Sequence, residues 1–338
     1  MSSSKSNQSK TSSMSEKINQ YRSKLIPVSR LINRIRRSST SSLSALPNHI
    51  VELAQSRTPS KGIDMRSQFG PVYDQMQIGS CTANAICGAY KLLEADKKFN
   101  PSRLYVYAKE RLCQSPNQPL VDSGSDAAIG LDWIRNHGVC PESDWPYDQN
   151  KVNIPPPSKC DIDARSHKLT GIHDLTVGTN GNQNTVLQNM CTSLDAGLPV
   201  LLAITIYDSF MTEAVASSGV VPMPNKKKEN LEGGHEVCVV GYQPAQRRFI
   251  VANSWASDWG ANGFFYLPYD YILDSDLSFE FLCFSNIVEL RHRSGSHPGP
   301  HPGPHPGHPS QFQYSESQSQ YGHPHHRGEI HYHYHYHY

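Results

Sequence analysis

Residues 74–90, DQMQIGSCTANAICGAY, decide how the rest of the chain is interpreted. The run Ile78-Gly79-Ser80 interrupts any strand, and from Cys81 onward small and apolar residues recur at helical spacing. The stretch therefore predicts a glycine-bearing loop followed by a helix whose first turn contains Cys81. Because a helix N-terminus favours a thiolate over a thiol, Cys81 is a candidate nucleophile. A buried packing cysteine is the alternative on this stretch alone.

Two later segments supply partners for a reactive cysteine. Gly234-His235 opens an apolar run typical of a buried strand, and a second apolar run, residues 249–252, ends at Asn253. A cysteine at a helix start, a distant histidine and a more distant asparagine are the components of a Cys–His–Asn site. Gln75 lies six residues before Cys81, and we include it in the candidate site.

The order of these motifs resembles the papain family of cysteine peptidases, from about Gly62 to about Leu290. The chain is similar to the subgroup with a DQGQLGSCTANA-like segment, and we expect a giant-virus, cathepsin-like member. The resemblance implies an α+β, papain-like fold with a helical subdomain, an antiparallel β subdomain and an active-site cleft between them. The matching segments are Gln75–Cys81, Gly234-His235, residues 239–242, Asn253-Ser254-Trp255, Trp259-Gly260, Asn262-Gly263 and Phe265.

The resemblance also implies roles for the site residues. Cys81 attacks a peptide carbonyl and forms a thioester, while His235 accepts the thiol proton and later protonates the leaving amine. Asn253 orients the imidazole ring, and the side chain of Gln75 stabilises the oxyanion together with the backbone N–H of Cys81. Trp255 covers the bond between Asn253 and His235. This chemistry requires no cofactor and no metal ion.

Substrate-binding residues are assigned from the same resemblance. Ser123, Gly124 and Ser125 resemble the wall along which an extended substrate pairs, and the carbonyl of Gly234 is expected to face it. Peptides or proteins are the expected substrates. Because no insertion resembles the occluding loop of cathepsin B, we expect endopeptidase rather than dipeptidase activity.

Two residues depart from the family pattern. Met76 stands where the family has glycine, so it is expected to crowd or tilt the loop before Cys81. Glu236 follows His235 where a small apolar residue is usual. It is expected either to raise the pKa of the imidazole or to face outward as a charge at the strand edge.

The chain divides into three parts by composition. Residues 1–60 are a Ser-rich arm with ten basic and two acidic residues, and the first 20 or so are expected to be disordered. Residues 61–290 are the acidic catalytic domain, with a helical half at about 75–190 and a β-rich half at about 191–290 plus 61–74. Residues 291–338 form a tail rich in His, Pro, Gly and Tyr that is expected to be disordered.

The basic arm is a candidate propeptide docked on the acidic body in cis, so the protein is expected to be made as a zymogen. Val28, Leu31, Ile32 and Ile35 fall on one face of a predicted basic helix. A transit segment, a nucleic-acid or membrane tether and a solvated helix without function remain alternatives. No nucleic acid is expected to bind the catalytic domain itself.

The tail contains 12 of the 17 histidines. Its composition permits loose metal binding but implies no rigid geometry, so no structural metal site is predicted.

The cysteines and the N-terminal segment indicate in which cellular compartment the protein is expected. The first 30 residues lack the apolar segment of a signal peptide, and no apolar run is long enough to span a membrane. Several of the eight cysteines lie in apolar runs, as buried thiols do, and only Cys113 with Cys160 resembles a family bridge. We expect a reducing, intracellular location, in the cytoplasm or in a virion.

Two other functions remain open from the sequence. The same triad could act on a non-peptide amide, or the chain could be a catalytically silent papain-fold protein for binding or packaging.

Overall fold

The computed structural model describes residues 14–28, 43–56 and 61–289. Its centre is a seven-stranded sheet in the order β2-β7-β3-β4-β5-β6, with β1 paired to β4, and every pairing is antiparallel. The strands are β1 (Ile63–Asp64), β2 (His167–Asp174), β3 (Val200–Tyr207), β4 (Leu231–Gln243), β5 (Arg248–Ala252), β6 (Phe264–Pro268) and β7 (Ser278–Glu289).

Ten α-helices are present in the described residues. They are α1 (Met14–Ser23), α2 (Asn48–Ser56), α3 (Arg66–Phe69), α4 (Cys81–Leu93), α5 (Arg103–Gln114), α6 (Ala127–His137), α7 (Ser158–Ala164), α8 (Gln183–Asp195), α9 (Glu213–Ser218) and α10 (Tyr269–Leu273).

Helix α4 lies in the middle of the core, between the sheet and the other helices. Its residues Ala83, Ile86, Ala89 and Tyr90 are completely buried, and it contacts β4 as well as α5 and α6. Because every face of α4 is covered, its first residue has a fixed position relative to β4, the strand that contains His235.

The predicted α+β architecture with an antiparallel sheet is confirmed. The continuous apolar run VLLAITI forms β3, which is buried throughout except at its last residue, as expected for a central strand. The boundary between the two halves differs from the predicted one. Strand β2 lies within the stretch predicted as helical and pairs with β7 along its whole length.

Two segments of the arm are structured against the body. The expectation of disorder over the first 20 residues is wrong for α1, because Ile18 and Tyr21 are buried and α1 contacts α9. Helix α2 packs Ile50 and Ala54 against residues of α8 and the loop that follows it. The predicted basic helix face from Leu31 onward and the 291–338 tail lie outside the described residues.

All eight cysteines are free thiols, including the Cys113 and Cys160 pair that resembled a family bridge. Cys87 and Cys238 are buried, as their apolar surroundings predicted. In the part of the chain that the structure describes, no helix has the length and apolar character needed to cross a bilayer.

Candidate active site

The candidate nucleophile is held at the start of α4. Cys81 is completely buried, and the loop before it is fixed by bonds to other segments. Asn84 donates from its side-chain amide to the carbonyl of Ser80 at 2.9 Å, and the Gly79 N–H donates to Asp122 Oδ1 at 3.0 Å. The position at a helix N-terminus favours the thiolate form of Cys81.

Gln75 connects this loop to the end of β5. Its backbone N–H donates to the carbonyl of Ser254 at 2.8 Å, and its side-chain Oε1 accepts from the Ser254 hydroxyl at 2.6 Å. The side-chain nitrogen donates to the carbonyls of Ile78 at 3.0 Å and Lys24 at 3.3 Å. The amide of Gln75 is thereby oriented with its donor toward a carbonyl oxygen of the arm.

His235 and Asn253 form the predicted pair. The Nε2 atom of His235, in β4, lies 2.7 Å from Oδ1 of Asn253, which directly follows β5. The ring of Trp255 stacks on the imidazole with centroids 4.8 Å apart, so it covers this bond as expected. Because Oδ1 can only accept, Nε2 carries the proton, and Nδ1 is left as the basic nitrogen of a neutral ring.

The protonation of His235 is controlled by its burial. Burial lowers the pKa of His235 to about 4, against the effect of the Asn253 hydrogen bond, which raises it. The ammonium group of Lys24 lowers the pKa further. Among the described residues, Nδ1 has no hydrogen-bond partner. The imidazole is therefore neutral at pH 7 while the arm is in place.

The structure brings several predicted residues together through one segment of the arm. Residues Tyr21–Ile26, here called the cleft segment, contact Trp255, Gln75, Gly124 and Gly234. The Ile26 N–H donates to the Gly234 carbonyl at 2.7 Å, and the Gly234 N–H donates back to the Ile26 carbonyl at 2.9 Å. The side chain of Ile26 lies 3.5 Å from the point where a Cβ would sit on Gly124.

The N-terminal end of the cleft segment covers the aromatic residue over the imidazole. Tyr21 stacks on Trp255 with ring centroids 4.8 Å apart and planes nearly parallel. Tyr21, Lys24 and Ile26 are all buried, with at most 5% of each exposed. The segment thus contacts both the predicted substrate wall and the cover of the His–Asn pair.

Ion pairs join the arm to the body, in keeping with the predicted docking of a basic arm on an acidic domain. Arg22 pairs with Glu232 at 3.1 Å, Lys24 pairs with Asp74 at 3.2 Å, and Lys17 contacts Asp258. Most of these groups are partly exposed, so each pair contributes only a few tenths to about 1 kcal/mol. The buried apolar and aromatic contacts of the cleft segment provide more of the stabilisation.

A side chain of α5 holds the predicted substrate wall in place. Gly124 has a positive φ of 72° and donates its N–H to the hydroxyl of Tyr107 at 2.9 Å. Ser125 is buried, whereas Ser123 is partly exposed. The left-handed backbone at Gly124, and the closeness of Ile26 to it, both favour glycine at this position.

The structure shows how the two residues that depart from the family pattern, Met76 and Glu236, are accommodated. Met76 adopts a positive φ of 52° with an exposed side chain, so the loop keeps its hydrogen bonds without enclosing the thioether. Both expectations for Glu236 are wrong. Its side chain is buried, because β4 is covered on both faces, and it lines a cavity with Tyr73 and Asn84. The pKa of His235 is lowered, and Glu236 is not among the causes.

Sequence reasoning missed the cleft segment. Ile18, Tyr21 and Leu25 recur at helical spacing, and all three are buried. That spacing, within a segment otherwise rich in Ser, Lys and Gln, was the available signal.

Comparisons with known proteins identify the family. The model for papain family cysteine proteases matches residues 59–275. An uncharacterised peptidase C1-like protein of Acanthamoeba polyphaga mimivirus is 34% identical over 220 residues, which cover 64% of this chain and 70% of the relative. Cysteine proteinase 2 of Entamoeba histolytica is 28% identical over 216 residues, which cover 60% of this chain but only 62% of that relative.

Solved structures of cysteine proteases also match this chain. Xylellain, a cysteine protease from Xylella fastidiosa, is 30% identical with a TM-score of 0.61, and the match covers 72% of this chain and 90% of xylellain. Digestive procathepsin L 3 of Tenebrio molitor is 19% identical with a TM-score of 0.57, and covers 80% of this chain and 79% of its own. At that identity the second match demonstrates the shared fold alone.

Proposed function

Because the chain belongs to the papain family of cysteine proteases, we propose that it is a cysteine endopeptidase that uses Cys81, His235, Asn253 and Gln75. The observation that carries this proposal is the 2.7 Å contact between His235 and Asn253 beneath Trp255. It leaves the second imidazole nitrogen as a base without a hydrogen-bond partner in the described structure.

Acylation starts with transfer of the Cys81 proton to Nδ1 of His235, which gives a thiolate and an imidazolium. Asn253 accepts from the Nε2–H throughout and keeps the ring in one orientation. The sulfur forms a bond to the carbonyl carbon of the peptide, and the carbonyl oxygen takes the negative charge. When the C–N bond breaks, His235 protonates the amine that leaves, and water then hydrolyses the thioester.

Gln75 is the side-chain donor for the oxyanion in this proposal. Its nitrogen donates to the Lys24 carbonyl at 3.3 Å. A carbonyl oxygen of the arm therefore occupies the position at this donor that the substrate oxyanion would take. With the backbone N–H of Cys81 it would provide two donors, and one such donor contributes about 3 kcal/mol to transition-state stabilisation.

We also propose that the full chain is a zymogen and that the cleft segment is its inhibitor. The support is steric, since Tyr21, Lys24 and Ile26 contact Trp255, Gln75 and the Gly124–Gly234 pair. A substrate cannot reach these groups until the segment leaves.

The test uses the full chain with Tyr21→Ala and Ile26→Asp, which we call the arm-released chain. We expect it to cleave unfolded casein at internal bonds, whereas the parent chain is slow. Cys81→Ala abolishes cleavage. Cys87→Ala, a change of another buried cysteine on the same helix, is the matched control and retains it.

Each alternative function gives a different result. Stoichiometric labelling of Cys81 by an epoxide inhibitor, without cleavage of casein or peptides, would favour an amidase. A folded arm-released chain that neither cleaves nor reacts with the epoxide would contradict the proposal and favour a silent scaffold.

Location and origin are also proposals. The eight free thiols support a reducing, intracellular location, and the similarity to a mimivirus protein supports a viral member of the family. Alkylation of all eight cysteines in protein taken directly from its source, without prior reduction, tests the first proposal.

A further inference from the structure

The loop of residues 74–81 contains both proposed oxyanion donors. Gln75 supplies a side-chain amide, and Cys81 supplies a backbone N–H. Three side chains outside this loop donate to its backbone carbonyls, and none of them has a role in the mechanism above. These side chains are Asn84 of α4, Arg103 of α5 and Tyr147 in the segment after α6.

Asn84 binds the peptide unit that carries the N–H of Cys81. Its side-chain nitrogen donates to the Ser80 carbonyl at 2.9 Å and to the Ser80 hydroxyl at 3.0 Å, and its backbone N–H donates to the same carbonyl at 3.1 Å. The Ser80 carbonyl and the Cys81 N–H belong to one planar peptide unit and point in opposite directions. A bond that fixes the carbonyl therefore also fixes the direction of the N–H.

Arg103 determines which way the Asn84 amide faces. Its Nη1 atom lies 3.3 Å from Asn84 Oδ1 and 3.3 Å from the Asp74 carbonyl. Because a guanidinium group only donates, the amide oxygen of Asn84 faces Arg103 and the amide nitrogen faces Ser80. Asn84 is buried, so this orientation is set by the protein and not by solvent.

The guanidinium group of Arg103 has a fixed position. It lies between the rings of Tyr73 and Tyr147, at 4.3 Å and 3.9 Å from their centroids, and its Nη2 atom donates to Glu142 Oε1 at 2.8 Å. Only 13% of the Arg103 side chain is exposed. A cation that stacks on two rings and pairs with a carboxylate keeps one orientation, so it is a rigid anchor for Asn84.

Tyr147 continues the hydrogen bonds to the other oxyanion donor. Its hydroxyl donates to the Gln75 carbonyl at 2.9 Å, so its oxygen accepts from the Ser80 hydroxyl, 2.5 Å away. The Ser80 oxygen in turn accepts from Asn84. Because each hydroxyl has one proton to donate, the bonds run in a single direction from Arg103 to Gln75.

We propose that Asn84 is a positioning residue, which aims the N–H of Cys81 at the substrate oxyanion and is itself oriented by Arg103. The inference deepens the proposed function and rests on it. The two donors stabilise the oxygen only when it gains charge, so loss of their alignment lowers kcat and leaves KM unchanged. Formation of the Cys81 thiolate depends on His235 and does not require Asn84.

Asn84→Leu in the arm-released chain is the first test, because leucine fills a similar volume but cannot donate. We expect kcat for a fluorogenic peptide to fall about tenfold, the effect of one hydrogen bond on a donor that is misaligned but still present. KM stays within about twofold. Asn189→Leu is the matched control and retains kcat, since Asn189 donates its amide to the carbonyl of Leu175, at 2.8 Å, outside this network.

Alkylation of Cys81 by iodoacetamide separates positioning from a general disturbance of the site. The thiolate displaces iodide from a saturated carbon, so an S–C bond forms, the C–I bond breaks and no carbonyl oxygen gains charge. We expect the rate constant for the Cys81 adduct, measured by mass spectrometry, to stay within about twofold in Asn84→Leu. A fall equal to that of kcat would mean that the substitution disturbs the thiolate itself, and would overturn the proposal.

Tyr147→Phe provides a second variant in case Asn84→Leu does not fold. It removes the hydroxyl that binds Ser80 and Gln75 but keeps the ring over Arg103. We expect kcat to fall about fivefold, while alkylation of the nucleophile is unchanged. If kcat stays within about twofold of the parent in each of these two variants that folds, the proposal is overturned.

Tyr105→Phe is the matched control for the tyrosine variant. Tyr105 also lies on α5, and its hydroxyl donates to Asp161 at 2.9 Å, outside this network. This variant keeps the kcat of the parent. A fivefold fall here as well as in Tyr147→Phe would mean that any lost tyrosine hydroxyl slows the enzyme, and would overturn the proposal.

Reversible binding of a dipeptide nitrile separates this inference from the proposed function. The Cys81 sulfur adds to the nitrile carbon, the thiol proton moves to the nitrogen, and the thioimidate nitrogen accepts from the two donors. We expect the Kd of the nitrile to rise about tenfold in Asn84→Leu. If no variant hydrolyses peptides, the proposed function fails, and the nitrile still decides the role of Asn84. An unchanged Kd, or a parent that does not bind the nitrile, would overturn that role.

Discussion

Acidification should release the cleft segment through His235. With the segment docked, burial and Lys24 hold the pKa of His235 at about 4. Release admits water and removes Lys24, so the pKa rises toward its ordinary value of about 6.5. The released state then binds more protons than the docked state between pH 6.5 and pH 4, and docking weakens as the pH falls through this range.

The size of the effect follows from these two values. If release restores the ordinary pKa, protonation of His235 weakens docking by about 2 kcal/mol at pH 5 but only about 0.2 kcal/mol at pH 7. Docking should therefore weaken about 20-fold between pH 7 and pH 5. This is the contribution of His235 alone.

Hydrogen exchange measures this docking directly. The amide of Ile26 is protected by its 2.7 Å bond to Gly234, so its exchange reports release of the segment. In full-length Cys81→Ala, the protection factor, corrected for intrinsic exchange, should fall about 20-fold from pH 7 to pH 5. His235→Gln retains the carboxylates near the arm but cannot titrate. An equal fall in His235→Gln would show that protonation of His235 does not release the segment.

Three further changes have defined outcomes. Tyr21→Ala in the full chain removes the stack on Trp255 and weakens docking by about 3 kcal/mol, so peptide hydrolysis accelerates; an unchanged rate would mean that the segment does not inhibit. Asn253→Ala in the arm-released chain lowers kcat about 10- to 100-fold, because the imidazole loses its orienting partner, and a change below twofold contradicts that role. Both a chain that begins at Leu43 and one that begins at Lys61 lack the cleft segment, but only the first keeps α2; calorimetry should find the second about 2 kcal/mol less stable because it loses the packing of α2 against α8, and equal stability would mean that α2 does not belong to the body.

The candidate site could be proposed largely from local patterns. Cys81 at the first turn of a helix, His235 at a glycine-rich strand entrance and Asn253 at a strand end are each visible within a few residues of sequence. Their order along the chain then indicated the family and the fold. Apolar patterns predict α4 and β4 as separate elements, whereas the geometry between the site residues depends on the packing of α4 against β4.

The cleft segment could not be predicted in the same way. Its stability comes from contacts such as Tyr21 with Trp255, which are more than 200 residues apart. The segment is short and polar on average, so its own sequence favours disorder until a partner surface is present. Glu236 shows the same limitation, since an outward charge at the strand edge was one of the two expectations from its sequence position, whereas the covering of both faces of β4 buries it.

In the proposed zymogen, the N-terminal segment closes a reactive cysteine site. The most direct measurement is the rate at which a peptidyl epoxide labels Cys81, followed by mass spectrometry at pH 7 in the full chain and the arm-released chain. Losing about 3 kcal/mol of docking predicts labelling at least about 100-fold faster in the arm-released chain, with the adduct on Cys81 alone. Equal rates in the two proteins, or adducts on other cysteines in place of Cys81, would contradict this proposal.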